Sequence, residues 1–246
     1  MKKALIVGGA NGIGLAIATQ LAKCDDYEKI YILDKAVVAD EFLHSKFVSI
    51  MFDLASEDYT IFDSFKDVDT LVITAGFGKL NLFKDVPEQY ISNSFTVNSI
   101  APIRIIHHFM DKLLNDKDFY CGIMVSIARF MSSPFFAVYG ATKAALKIFI
   151  ESVNVELEKR GSCNRILNVS PGSIKGTSFN NGKTDLTALE ILASDIIKNL
   201  KAKNDLFIPN YDEIYKDVLA RYQSDFREEG RHSYDYKINS NRIVVL

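Results

Sequence analysis

Ser126, Tyr139 and Lys143 are the residues whose types and spacing point to chemistry. Tyr139 and Lys143 stand four apart in Tyr139-Gly140-Ala141-Thr142-Lys143. On a helix that spacing puts phenol and ammonium on one face. A free tyrosine has a pKa near ~10, too high for a base at neutral pH. A cation about 5 Å away, at an effective dielectric near 20, contributes roughly 3 kcal/mol, or about two pKa units. The positive ring of an oxidised nicotinamide would add to this and bring the phenol into the range of general acid–base catalysis. Ser126 precedes Tyr139 by thirteen residues at the end of an apolar run, where its hydroxyl can steady charge developing on a substrate oxygen. Asn98, on a preceding helix, can tie a water to the lysine. In this arrangement Tyr139 protonates a carbonyl oxygen while hydride reaches its carbon, and Lys143 lowers the phenol and holds a ribose. Alone, a Tyr–Lys pair is ordinary surface decoration. Its weight comes from the company it keeps.

The second cluster is glycine-rich. Ala4-Leu5-Ile6-Val7 runs into Gly8-Gly9-Ala10-Asn11-Gly12-Ile13-Gly14 and then into a helical pattern with Leu15, Ile17, Ala18 and Leu21. Strand, glycine turn and helix N-terminus together make a pyrophosphate cradle, because unpaired N–H groups and the positive end of the helix dipole face the anion. Gly8, Asn11, Gly12, Ile13 and Gly14 are therefore expected cofactor contacts. Asp34 ends the next strand, 20 positions beyond Gly14, where a carboxylate can bind both ribose hydroxyls. It repels a 2′-phosphate, which favours NAD(H). Lys35 beside it keeps NADP(H) open. Asp53, followed by Leu54, either reaches the adenine amino group or forms a turn.

These motifs stand in the order and spacing of a known family: the chain resembles a short-chain dehydrogenase/reductase of the compact, roughly 250-residue kind. Gly8, Gly12 and Gly14 match its glycine pattern, Ser126, Tyr139 and Lys143 its catalytic pattern, and Asn98 its helix asparagine. The resemblance covers about residues 3–210. It implies that Ala75 and Gly76 follow the fourth strand at the cofactor, and that Pro171-Gly172-Ser173-Ile174 forms the turn where the Ile174 backbone meets the nicotinamide carboxamide. It further implies that residues 173–187 form a short substrate lid, with Asn180-Asn181-Gly182 marking a turn, and that helices like the one carrying Tyr139 pair into a homodimer or homotetramer. The sequence departs from the family at Val7 and Gly176, each standing where Thr is usual, and at Ile73-Thr74, which replaces an Asn pair. These changes bear on local hydrogen bonding rather than on the catalytic residues.

The elements that must position these groups alternate. Short apolar runs at 4–7, 29–33, 47–52, 70–74, 122–126, 165–169 and 206–208 read as strands, and 12–23, 87–99, 102–115, 137–160 and 188–202 read as helices. Continuous rather than alternating apolar strands are covered on both faces, as in a parallel sheet. The expected fold is α/β, a doubly wound, Rossmann-like parallel sheet in three α/β/α layers, forming one domain over 1–246. Thr187-Ala188-Leu189-Glu190 has the spacing of a capping box. From about 222 the chain turns polar, and this tail either frays or packs across a neighbouring subunit.

Phe77, Phe130, Met131, Phe135 and Phe136 suggest an apolar pocket, or else core or interface packing. Arg129 is expected as a solvated cation, with an acidic substrate as its alternative partner. His107 and His108 lack metal-ligand companions, so no metal is expected. A net charge of −2 gives no nucleic-acid footprint. Cys24, Cys121 and Cys163 are widely spaced and read as small apolar residues rather than a disulfide framework. The first apolar run is too short for a signal peptide, and none approaches the ~18 residues of a membrane span. The expected location is cytoplasmic. The leading function is thus hydride transfer between a nicotinamide dinucleotide and a small carbonyl or alcohol substrate. A nucleotide-sugar epimerase or dehydratase shares the Tyr–Lys pair but wants a larger substrate domain. A non-enzymatic dinucleotide sensor has no use for a proton relay.

Overall fold

In the computed structural model, which describes residues 1–177, 179, 182–240 and 242–243, the alternation of the sequence becomes one parallel sheet. Its strands are β1 (Lys2–Val7), β2 (Tyr27–Asp34), β3 (Phe47–Met51), β4 (Thr70–Ile73), β5 (Tyr120–Met124), β6 (Ile166–Val169) and β7 (Leu206–Phe207). They lie in the order β3-β2-β1-β4-β5-β6-β7. The order reverses direction between β1 and β4, and the C-terminal ends of strands at such a switch point are where doubly wound sheets bind ligands. Ala4, Leu5, Ile6 and Val7 are buried because β1 is paired on both edges and packed on both faces.

Two apolar layers cover the sheet. On one face Leu5 and Val7 pack with Phe62, Ile105, Phe109, Leu146 and Leu157; on the other Ala4 and Ile6 pack with Leu15, Ile17, Leu189 and Ile196. The helices supplying them are α1 (Gly12–Ala22), α2 (Glu88–Phe95), α3 (Ala101–His108), α4 (Met110–Leu114), α5 (Ala137–Lys159) and α6 (Leu186–Lys201).

The two helices expected over 87–99 and 102–115 form a single run with a π turn at Thr96–Ile100 and a break at Phe109. Pro102 accounts for the π turn. It has no N–H to give the carbonyl of Asn98, four residues earlier, and the ladder widens there. α6 begins earlier than the capping-box pattern suggests. Its N-cap is Asp185, whose carboxylate accepts from Ala188 N, while Glu190 turns outward to Lys23 and Gln20. β5 stops at Met124, so Ser126 stands beyond the strand.

Among the described residues the tail is helical. It forms α7 (Lys216–Ser224) and α8 (Phe226–Asn239), and α8 packs on the loop at 130–136 of its own chain. Asn180, Asn181 and Val244–Leu246 lie outside the described residues. Cys121 is buried, but Cys163 is exposed rather than buried, and all three thiols are free. No helix among the described residues is long and apolar enough to cross a membrane.

Candidate active site

The glycine turn is built by close approach. Gly8 has φ +82, and a Cβ there would sit 2.4 Å from Ala75 N; one on Gly14 would sit 2.3 Å from Gly8 O. Only glycine lets β1, α1 and the end of β4 come this near. Thr74, in place of the family's asparagine, supplies the missing polar tie: its hydroxyl donates to Gly8 O at 2.9 Å, with Val7 O at 3.2 Å. α1 starts at Gly12 without a side-chain cap from Asn11, which leaves a helix N-terminus facing the crevice. Gly12 has φ +52, and a Cβ there would meet nothing nearer than Thr177 at 3.7 Å. This open cradle has the donor chemistry a diphosphate needs. Gly12 N donates to Thr184 Oγ1 at 2.9 Å, so the chain ahead of α6 reaches this helix N-terminus.

Asp34 sits at the end of β2, its two oxygens accepting from Ala10 N at 3.0 Å and Ala36 N at 3.1 Å. The carboxylate is thereby fixed beside the glycine turn. Asp53 behaves as a turn former, its Oδ1 accepting from Ala55 N, and the following Leu54 is buried in the core.

The residues expected to transfer the proton come from three elements. Asn98, in the π turn, is fully buried and clasps the backbone of Phe77: its Oδ1 accepts from Phe77 N at 2.9 Å and its Nδ2 donates to Phe77 O at 2.8 Å. Lys143, from α5, is buried and donates to Met124 O at 2.9 Å. A Cβ on Gly76 would lie 3.2 Å from Asn98 Oδ1 and 3.3 Å from Lys143 Nζ, so the two polar heads meet across that glycine. Ser126 accepts from Ala128 N at 3.2 Å, and its hydroxyl lies near enough to the Tyr139 phenol to draw its pKa down. The Tyr139 ring packs 5.3 Å from Phe136 and 5.4 Å from Phe179 of the lid.

The electrostatics differ from the expectation that Lys143 lowers the phenol. Burial pushes Tyr139 up to about 12; the nearby Ser126 hydroxyl opposes this and the neighbouring Tyr90 phenol adds to it. Burial also pushes Lys143 down, to about 8. The ammonium is turned to the Met124 carbonyl and stands 5.8 Å from the Tyr139 ring centre. At neutral pH Tyr139 is a protonated donor.

Arg129 is not a solvated cation. Its side chain is fully buried, stacked 3.6 Å from the Phe130 ring centre, with Nε donating to Ser170 Oγ at 2.7 Å. Nη1 stands 3.8 Å from Glu151 Oε1, and burial pushes the guanidinium down to about 10. It braces the loop after β5 against the end of β6, next to Pro171. Ile174 O accepts from the Thr177 hydroxyl at 3.1 Å, a local bond that closes the turn after Ser173. Sequence reasoning missed Tyr90, Tyr215 and Phe179. Tyr90 and Tyr139 line one shallow cleft with Asn81, Phe135 and Phe136. Tyr215 closes on Gly172 so tightly that a Cβ there would meet its hydroxyl. His108 pairs with Asp63 at 3.1 Å, and no His, Cys, Asp and Glu cluster among the described residues is placed to hold a metal.

Residues 2–186 match a family model described as short chain dehydrogenase. The chain is 26% identical over 184 residues to the uncharacterized oxidoreductase TDA5 of Saccharomyces cerevisiae, an alignment covering 71% of this chain and 56% of that protein. It thus spans little more than half the length of that relative. Among solved structures it is similar to an alcohol dehydrogenase from the archaeon Thermococcus sibiricus complexed with 5-hydroxy-NADP, at 21% identity and a TM-score of 0.70, over 85% of this chain and 95% of that one. It is also similar to a short chain dehydrogenase/reductase from Burkholderia phymatum in complex with NAD, at 16% identity and a TM-score of 0.74, over 93% and 95%. At these identities the structural likeness speaks for the fold.

Proposed function

Because the chain belongs to the short-chain dehydrogenase/reductase family, we propose that it is an NAD(P)-dependent oxidoreductase that interconverts a carbonyl and an alcohol, with Tyr139 as the general acid and base. The observation that carries this reading is that α5 sets Tyr139 and a buried Lys143 one turn apart, with Lys143 and Asn98 both close to Gly76 at the end of β4. A nicotinamide dinucleotide, when bound, supplies or accepts the hydride. The chain's own residues do the rest. Ser126 holds the substrate oxygen and offsets the charge that grows on it. Tyr139, protonated at rest, delivers a proton to that oxygen in reduction and takes one back in oxidation. Lys143 and Asn98 meet across Gly76 and link the phenol to solvent.

The glycine turn at Gly8, Asn11, Gly12, Ile13 and Gly14 would hold the diphosphate, Asp34 the adenosine ribose, and Ala75, Gly76, Pro171, Gly172 and Ile174 the nicotinamide half. Asp53 and Leu54 would flank the adenine from the β3 end. The Asp34 carboxylate, fixed by two backbone N–H groups, favours NAD(H) over NADP(H). Titration of the protein with NADH and with NADPH, followed by nicotinamide fluorescence, tests this. NADH is expected to bind about tenfold tighter or better, and Asp34→Ala to erase the difference, since one misplaced charge is worth about 1–3 kcal/mol. Tighter NADPH binding by the unaltered protein would contradict the assignment. We further propose a homodimer or homotetramer working in the cytoplasm on a small molecule.

A further inference from the structure

α8 does something the family core does not explain, since the family match ends at residue 186. Lys237 on α8 is 6% exposed, and its ammonium donates to Ser133 Oγ at 2.9 Å, Pro134 O at 2.8 Å and Ser233 Oγ at 3.1 Å. All three acceptors are neutral. A buried ammonium without a carboxylate costs stability that an apolar side chain of the same length would not. Burial and the nearby Arg242 push it down to about 8. Its charge is therefore not explained by folding.

Its contacts lead to the site. Ser133 and Pro134 precede Phe135, whose φ of +69 is the left-handed region that bulky residues avoid. Two contacts hold Phe135 in that state: Asn81 N donates to its carbonyl at 3.0 Å, and the Tyr234 ring of α8 packs 4.5 Å from its own. Phe136 follows, 5.3 Å from the Tyr139 ring. α8 grips the same loop at two further points. The Ser132 hydroxyl donates to Phe226 O at 3.3 Å, and Gly230 comes so near that a Cβ would sit 3.2 Å from Ser132 Oγ.

We propose that α8 braces the active-site loop of its own chain from behind, and that Lys237 is a positioning residue. By fixing Ser133–Phe136 against Tyr139 it sets which carbonyl substituents the cleft admits. The proposal rests on the oxidoreductase reading for its consequence, but not for its geometry.

The test uses full-length protein with Lys237→Met, which keeps the buried volume and removes the three hydrogen bonds. Hydrogen exchange of the backbone N–H groups of Met131–Ser133, Phe135 and Phe136 is expected to quicken about tenfold or more while amides of β1, β4 and β5 keep their rates, because a local clamp rather than the global fold is lost. Unchanged exchange in that loop overturns the proposal whatever the activity. Steady-state reduction of a ketone series, from small alkyl to aryl, is expected to show the aryl-to-alkyl ratio of kcat/KM shifting about fivefold or more, with NADH affinity unaltered. A uniform fall for every ketone, or a loss of NADH binding, would reveal general damage and also overturn it. Should Lys237→Met not fold, Tyr234→Leu removes only the ring contact and must move exchange and ratio in the same directions. Tyr139→Phe separates the two readings. It is expected to leave the exchange of 131–136 unchanged, and if it kept full turnover the proton-donor role would fall while the exchange result still judged α8.

Discussion

At Lys143 two opposing effects meet, the attraction of a cation for a nearby phenolate and the cost of taking that cation out of water. Burial wins and pushes Lys143 down to about 8. Between about 8 and its ordinary 10.5 the unfolded chain holds a proton on this amine that the folded chain does not, so stability rises with pH across that window. The expected outcome is that the unfolding free energy, from urea melts at stepped pH, climbs more steeply between pH 8 and 10.5 in the unaltered protein than in Lys143→Met. Equal slopes would mean the amine is solvated. The i, i+4 spacing makes the pairing of Tyr139 and Lys143 legible in the sequence, but a lowered phenol follows from it only if the lysine stays charged and half-solvated. Desolvation depends on what packs around the amine, here β5 and the Gly76 turn, and one local motif does not report it. The expectation for Arg129 fails for the same reason: nothing near it in sequence announces Ser170, 41 residues on, as its partner.

Among the elements, the start of α6 separates pattern from cause. Thr187 and Glu190 have capping-box spacing, yet the Asp185 carboxylate accepts from Ala188 N and ends the competition two residues earlier. Asp185→Ala is expected to cost about 1 kcal/mol in thermal or urea unfolding, as loss of an N-cap does, and Thr187→Ala less than about half of that. The reverse order would restore the capping box. Strands were readable because a parallel strand buried on both faces needs a continuous apolar run, as in Leu71-Val72-Ile73. The tail was not. α8 carries few apolar residues, and it docks through Lys237, Tyr234 and backbone carbonyls, which leave no 3.6-residue apolar stripe. The π turn was half legible: Pro102 announces a missing donor, but only the packed structure shows the widened ladder bringing Asn98 onto Phe77.

For the whole molecule, the β3-β2-β1-β4-β5-β6-β7 order gathers the glycine turn, the Asn98 turn, Ser126 and Tyr139 at the C-terminal edge of one sheet, although they span more than half the chain. The order of the motifs along the sequence implied that gathering, since right-handed crossovers between parallel strands return each strand's C-terminal end to the same edge. What the fold adds is enclosure. Phe179 packs on Tyr139, Thr184 reaches Gly12, and α8 braces the loop at Ser133. The central claim is that the Tyr139 phenol carries the proton. Single-turnover reduction of a ketone accepted by the unaltered protein, compared with Tyr139→Phe at saturating NADH, tests it most directly. The account predicts unchanged NADH affinity and a rate lower by about 10²-fold or more; a variant that turns over at the original rate would contradict it.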